Sequence, residues 1–261
     1  MNVKDWVVIV TGAGTGVGAA AARMLAEAGA RVTINYSRSA AAAEAVAEEC
    51  RAMGAEVLVC QADVAEEADC RRLVEETMAK WGRVDGLMNN AGTTQLVTDD
   101  NLDSLTPDDF IRIYSVNVIG TYLMSRAVAP HMQAQGGGSI VNTSSIAGVM
   151  GIGSSIAYAA SKGALNTMTL SLARILAPEI RVNAVAPGFI TGRWWLEKLG
   201  QENYDKMVAG VEQSVPLQRA GTPEDMAEAA LFLLAGNSNI TGEILLSDSG
   251  HHLSGAPLVA R

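Results

Sequence analysis

The chain has three cysteines in 261 residues, Cys50, Cys60 and Cys70, and no C-x-x-C pair among them. An odd count without that spacing argues against a disulfide framework and against a redox or metal role; free thiols in a reducing compartment are expected. His131, His251 and His252 stand at no metal-ligand spacing with any acid or cysteine cluster, so no metal is expected. No apolar run approaches the roughly 20 residues of a membrane span. The opening "MNVKDWVVIVTG" passes from Lys4 and Asp5 into an apolar run too short for a signal peptide. A cytoplasmic protein is therefore expected. Basic residues are also few, 19 against 28 acids for a formal charge of -9, and form no block. That balance argues against a nucleic-acid partner.

What the chain does have is core-forming sequence, 49% hydrophobic and 18% charged. Its length suits one large α/β domain better than two ordinary ones. Short apolar runs recur throughout: "WVVIVT", "RVTINY", "AEVLVCQ", "VDGLMNN", "GSIVNTSS", "RVNAVAP" and "EILLSD". Each reads as a strand. Helical patterns at 19–29 (closed by Gly29), 40–53, 66–81, 107–135, 157–177 and 223–235 lie between most of them. This alternation predicts a single-domain α/β fold, a doubly wound Rossmann-type parallel sheet of about seven strands with helices on both faces. Ligands of such a sheet bind beyond the carboxyl ends of its strands, where the winding reverses. The stretch 189–216 interrupts the alternation and carries Trp194 and Trp195. It is predicted to be a lid-like insert within one domain spanning 1–261.

Between the first strand and first helix stands "TGAGTGVG", Thr11 to Gly18. Glycines let backbone amides approach a pyrophosphate, and a helix N-terminus adds partial positive charge. The G-x-G-x-x-G pattern fits poorly, because Val17 occupies its third glycine position. The spacing that fits is T-G-x-x-x-G-x-G, with Gly12, Gly16 and Gly18. In this the sequence resembles the short-chain dehydrogenases/reductases, whose cofactor turn has this form. The resemblance implies that Gly12, Thr15, Gly16, Val17 and Gly18 hold a nicotinamide dinucleotide. The end of the second strand, "TINYSRS", lacks the acid that binds an NAD ribose. It offers Ser37, Arg38 and Ser39 instead, a guanidinium and hydroxyls suited to a 2′-phosphate, so NADP(H) is expected over NAD(H). Thr15 departs from relatives that place a second basic residue in the glycine turn. The resemblance assigns Asp63 and Val64 of "QADV" to the adenine, and Asn90, Ala91 and Gly92 of "NNAG" to the cofactor's flank.

Tyr158 and Lys162 stand four apart where a helix begins, which puts them on one face. A phenol with an ordinary pKa near 10 is a poor proton shuttle, and a nearby ammonium is expected to bring it down. Ser145, thirteen residues upstream, could donate to the same oxygen. The resemblance makes this the family's Y-x-x-x-K element. It implies that Tyr158 is the general acid/base and that Lys162 lowers its pKa and holds the ribose. Ser145 is its partner, and Asn117 of "YSVNVIGTY" positions a water. "PGFIT" resembles the loop around the nicotinamide amide, with Pro187, Gly188, Ile190 and Thr191. The likeness spans residues 6–250, although Ser249 stands where a glycine is commoner.

These readings together predict an oxidoreductase that interconverts a secondary alcohol and a carbonyl, a 3-oxoacyl thioester among them. The appearance is nearest the 3-oxoacyl-carrier-protein reductase-like branch. Two alternatives stay open: a non-catalytic dinucleotide-binding sensor or scaffold, and an NAD-dependent sugar or polyol dehydrogenase. The substrate pocket is expected from 93–100, 149–156 and 189–216, with polar edges at Gln95, Ser154 and Glu197. Trp194 and Trp195 suit either a wall over the substrate or a subunit contact, and His251 and His252 a C-terminal subunit contact. The helices of Asn117 and Tyr158 are richer in Ala and Leu than one buried face requires. Relatives pair these helices between subunits, so a homotetramer or homodimer is expected.

Overall fold

A computed structural model describes residues 2–97 and 101–253, with the side chains of all but Arg193, Trp194 and Lys198. Seven strands form one parallel sheet among the described residues. They are β1 (Val7–Val10), β2 (Arg31–Tyr36), β3 (Val57–Gln61), β4 (Gly86–Asn89), β5 (Gly138–Thr143), β6 (Ile180–Pro187) and β7 (Ile244–Ser247). The order is β3-β2-β1-β4-β5-β6-β7, so the winding reverses between β1 and β4. The doubly wound architecture read from the strand–helix alternation is thus the observed one.

The strands read as continuous apolar runs because both faces are covered. Within β1, Val8 and Val10 point into one core with helices α1 (Gly16–Glu27) and α2 (Ala40–Ala52), while Ile9 points into the other. The first core also takes in α10 (Pro223–Leu231). Ala19, Ala20, Ala21 and Ala22 of α1 are all buried in it, and such small side chains let a helix lie close on a sheet. The opposite core joins Leu87 and Ile140 to α3 (Glu67–Trp81) and α5 (Thr121–Ala134). Cys50, Cys60 and Cys70 are free and buried, and burial pushes the Cys60 and Cys70 thiols up to about 12. They pack as small apolar groups.

The helical pattern read at 107–135 is interrupted. It comprises α4 (Pro107–Tyr114), a π-helical turn at Ser115–Gly120, and α5. A π turn admits an extra residue into the helix. Gly120 within it rests on the Val64 backbone: a Cβ there would lie 2.8 Å from Val64 Cγ2 and 2.9 Å from Val64 O. The 223–235 pattern likewise ends in a π turn at Phe232–Gly236. The remaining helices are α6 (Ala147–Met150), α7 (Ile156–Leu176), α8 (Arg193–Leu199) and α9 (Gln201–Ser214). The 189–216 stretch is therefore mostly the pair α8 and α9, and no residue of α9 is buried. No described helix is long and apolar enough to cross a membrane.

Gly120→Ala should cost about 1–3 kcal/mol of stability, because the Val64 carbonyl is backbone and cannot swing aside. Its denaturant midpoint, compared with wild type at unchanged slope, checks this; an unshifted midpoint would mean the π turn yields freely.

Candidate active site

The carboxyl edge of the sheet at the β1/β4 reversal gathers most of the singled-out residues. Gly12 and Gly16 have φ of +62° and +56°, a region that side chains with a Cβ disfavour. Gly18 is required for a different reason: a Cβ there would fall 2.5 Å from Asn90 Nδ2 and 2.7 Å from Gly12 O. Val17, where the G-x-G-x-x-G pattern has its third glycine, is buried in the α1 core. Thr15 is the N-cap of α1 but makes no side-chain cap bond, and the first turn has no acid. Nothing lies within 4 Å of the position of a Gly16 Cβ. The helix thus presents unsatisfied N–H groups and partial positive charge at an open turn, a setting that suits a pyrophosphate.

Side chains hold this turn as well, among them Asn35, which the sequence reading did not single out, and Thr11, which it gave no role of its own. Asn35, buried at the end of β2, accepts from Gly12 N at 3.2 Å and donates to Ala62 O at 3.0 Å. The Thr11 hydroxyl accepts from Asn90 N at 2.9 Å and Ala91 N at 3.0 Å, while Asn90 Nδ2 donates to Thr11 O at 3.0 Å. The signal was present as two polar residues at the ends of apolar strands, where a buried amide or hydroxyl must find partners.

Beyond β2 an open cleft of about 500 Å³ is lined by Ser37, Arg38, Gln61, Asp63, Asp69 and Arg72. Arg38 is exposed, as are Ser37 and Ser39. The Arg72 guanidinium is committed, donating to Gln61 O at 2.7 Å and Asp69 Oδ1 at 2.8 Å. Asp63 Oδ1 accepts from Ala65 N at 3.0 Å, and Asp63 N donates to Asp69 Oδ2 at 2.8 Å. Val64, next in the chain, is buried beneath Gly120.

At the other side of the reversal, Tyr158 and Lys162 share one face of α7. Ser155 caps that helix by accepting from Tyr158 N at 3.2 Å. The Lys162 amine lies 5.6 Å from the Tyr158 ring centroid and donates to Thr143 O at 2.7 Å. Lys162 is 4% exposed, with no carboxylate bonded to it among the described residues. Burial brings its pKa down to about 8. Burial also pushes the Tyr158 phenol up, with a hydrogen bond from Ser145 pulling the other way. This corrects the expectation that the ammonium would hold the phenol below its ordinary pKa. In the protein alone, desolvation of the phenol is the larger influence.

Asn117 sits in the π turn, buried, and its amide is fully engaged. Oδ1 accepts from Thr93 N at 2.8 Å, and Nδ2 donates to Thr93 O at 2.9 Å and Ser161 Oγ at 3.0 Å. Ser161 Oγ in turn donates to Tyr158 O at 2.7 Å, so Asn117 is tied through one hydroxyl to the residue that bears the phenol. Gly92 fits between: a Cβ there would come 3.5 Å from Asn117 Oδ1 and 3.9 Å from Lys162 Nζ.

In the 187–191 loop, Pro187 O accepts from Ile146 N and Gly188 N donates to Ser247 O at 3.0 Å. Gly188 faces Asp248, which a Cβ would approach to 2.7 Å. Ile190 bridges to Gly221, and Thr191 N donates to Gly221 O at 2.8 Å. Ser249, in the position where a glycine is commoner, has a φ of +56°. Asp248 is bound by His252, whose Nδ1 lies 2.9 Å from Oδ2. Trp195 stacks on Phe189 with centroids 5.7 Å apart. Ser154 is buried against Thr94, with hydroxyl oxygens 2.6 Å apart; Gln95 meets Arg112, and Glu197 is exposed. The Trp194 side chain and residues 98–100 of the expected pocket lie outside the described residues. Among the described residues no cluster of His, Cys, Asp and Glu could hold a metal.

Comparison with known proteins bears on the family and the fold. A family model described as enoyl-(acyl carrier protein) reductase matches residues 12–252. The chain is 37% identical over 247 residues to a 3-oxoacyl-[acyl-carrier-protein] reductase of Synechocystis, covering 94% of this chain and 96% of that one. It superposes with a TM-score of 0.88 and 42% identity on the structure titled "a putative short-chain dehydrogenase/reductase from Burkholderia xenovorans", over 95% of this chain and 98% of the other. A 7α-hydroxysteroid dehydrogenase bound to NADH and 7-oxo glycochenodeoxycholic acid gives 0.86 at 32% identity, over 95% of each chain. The chain belongs to the short-chain dehydrogenase/reductase family, nicotinamide-dependent oxidoreductases that act on hydroxyl and keto groups.

Proposed function

We propose that the protein transfers a hydride between NADP(H) and a secondary alcohol or ketone, with a 3-oxoacyl thioester as the first substrate to test. The observation that carries this reading is the juxtaposition of Tyr158, Lys162 and Ser145 beside the glycine turn, with Asn117 tied to the same helix. The name of the Synechocystis relative favours the acyl thioester.

The nicotinamide, when bound, supplies or accepts the hydride. The chain's residues handle the proton. A buried phenol with a raised pKa is protonated near neutral pH, which is the form that donates to a carbonyl oxygen during reduction. The Ser145 hydroxyl donates toward the same oxygen and stabilises charge as it develops. Lys162, buried and held by Thr143 O, is placed to meet ribose hydroxyls and to be drawn to its charged form by an anion nearby. Gly12, Thr15, Gly16, Val17 and Gly18 would hold the pyrophosphate, and Asp63, Val64, Asn90, Ala91 and Gly92 the adenosine side and flank. Pro187, Gly188, Ile190 and Thr191 would hold the nicotinamide amide. Ser37, Arg38 and Ser39 favour a 2′-phosphate; Arg38 has no ion pair among the described residues and can be turned to a ligand without breaking one. The NADH in the 7α-hydroxysteroid dehydrogenase keeps the NAD reading as the second candidate. The stretch 189–216 serves as lid over the substrate, and pairing through the helices of Asn117 and Tyr158 gives a homotetramer or homodimer in the cytoplasm.

Three outcomes check this reading. Tyr158→Phe should lower ketone reduction by about a thousand-fold while NADPH still binds; near-normal turnover would remove the phenol from the chemistry. Arg38→Ala should weaken NADPH by about ten-fold and NADH by much less, a charge-assisted bond being the difference; equal losses for both cofactors would refute the 2′-phosphate role. In the cofactor-free protein, NMR of labelled lysine side chains should show one amine titrating at about 8, absent from Lys162→Arg. Finding every lysine near its ordinary value would mean that the site is wet.

A further inference from the structure

Ser145 is useful only if its hydroxyl stays on the phenol, yet it lies in the short connection between β5 and α6, not on α7. The Ser145 hydroxyl accepts from Ala147 N at 3.1 Å and its carbonyl from Gly148 N at 3.0 Å, so residues 145–148 form one tight turn. Three hydrogen bonds join Ser144 and that turn to α7: two end on Asn166, and a longer one runs from the Ser144 hydroxyl to Lys162 O at 3.5 Å. The Ser144 hydroxyl, buried, donates to Asn166 Oδ1 at 2.5 Å, and Asn166 Nδ2 donates to Gly148 O at 3.3 Å. One side-chain amide therefore pins the residue before Ser145 and the residue three after it. Asn166 is four residues beyond Lys162, on the face of α7 that carries Tyr158 and Lys162. Gly148 has no side chain to grip the helix: a Cβ there would fall 2.4 Å from Lys162 C and 2.6 Å from Gly163 N. The side-chain tie from α7 at this contact comes from Asn166, whose amide has no other hydrogen-bond partner among the described residues; the Ser144 hydroxyl otherwise reaches only the Lys162 carbonyl, at 3.5 Å.

We infer that Asn166 is a positioning residue that clamps the Ser145 turn onto α7 through Ser144 and Gly148. The inference rests on the proton-transfer reading of Ser145 and Tyr158. A planar amide suits the task because it accepts on one side and donates on the other. Leucine at this place fills similar volume and does neither. Without the clamp the Ser145 hydroxyl drifts from the phenol. Its bond favours the phenolate, so weakening it raises the pKa at which the phenol ionises. A purely structural loss would not move that value.

The test compares Asn166→Leu, Ser144→Ala, the double variant and Tyr158→Phe in the full chain. Folding is followed by circular dichroism and NADPH affinity by fluorescence. For Asn166→Leu, kcat for ketone reduction should fall by about ten- to a hundred-fold, with NADPH affinity changed less than about two-fold. The alkaline limb of its kcat profile should move upward by about half a unit or more. Ser144→Ala should shift the limb the same way, and the double variant should be no worse than Asn166→Leu alone. A folded Asn166→Leu with wild-type kcat and an unmoved limb overturns the clamp, as does a loss of kcat matched by equal loss of NADPH affinity. If Asn166→Leu does not fold, Ser144→Ala decides by the same two criteria. Retained turnover in Tyr158→Phe would instead sink the proton-transfer reading, whereas an inactive Tyr158→Phe beside a normal Asn166→Leu sinks the clamp alone.

Discussion

A lysine amine buried in the cleft and given one backbone carbonyl sets the terms for everything near it. Lys162 gives up most of its hydration and receives the Thr143 carbonyl in return. A lone carbonyl does not replace a water shell, and the amine becomes easier to deprotonate as a result. The phenol beside it is subject to the same desolvation and moves the opposite way. Burial therefore drives both groups toward their neutral forms, and the pair is coupled to whatever charge later enters the cleft.

Such a pair has to be held rigidly, since each ångström of play lets water in. The structure does this with short polar ties and not with long charged ones. Thr11, Asn35 and Asn90 fasten the glycine turn to β2 and β4, while Asn117 and Ser161 fasten the π turn to α7. Buried amides and hydroxyls are costly unless fully partnered, and satisfied networks of this kind specify one arrangement. Ion pairs, by contrast, lie mostly at the surface, such as Arg71 with Glu67 and Lys206 with Glu202, where they contribute little.

The strands and their parallel order were legible because a strand buried on both faces must be apolar throughout, as "WVVIVT" and "RVNAVAP" are. The glycine turn was legible because each of its glycines answers a steric demand, a positive φ at Gly12 and Gly16 and a blocked Cβ at Gly18. Tyr158 and Lys162 were legible as a helical pair. Their relative protonation was not, since desolvation depends on neighbours distant in sequence, Thr143 among them. Asn35 and Ser161 escaped notice, and the part played by the Thr11 hydroxyl with them, for a related reason: a single polar residue in an apolar run does not say which distant backbone group it will meet. The break between α4 and α5 was equally hidden, because a π turn leaves the apolar pattern almost intact while changing its phase.

That change of phase decides how the fold is divided between core and cleft. One additional residue in a helix turns everything after it by about 100°. Upstream of the offset, α4 presents its capping box and Arg112 to solvent; downstream, α5 sends Leu123, Met124, Val128 and Met132 into the core. Between them Asn117 faces inward to Thr93 and Ser161. An uninterrupted helix could aim the amide at the cleft or seat those apolar side chains against the sheet, but not both. The offset lets one continuous rod satisfy two surfaces that are out of step with each other.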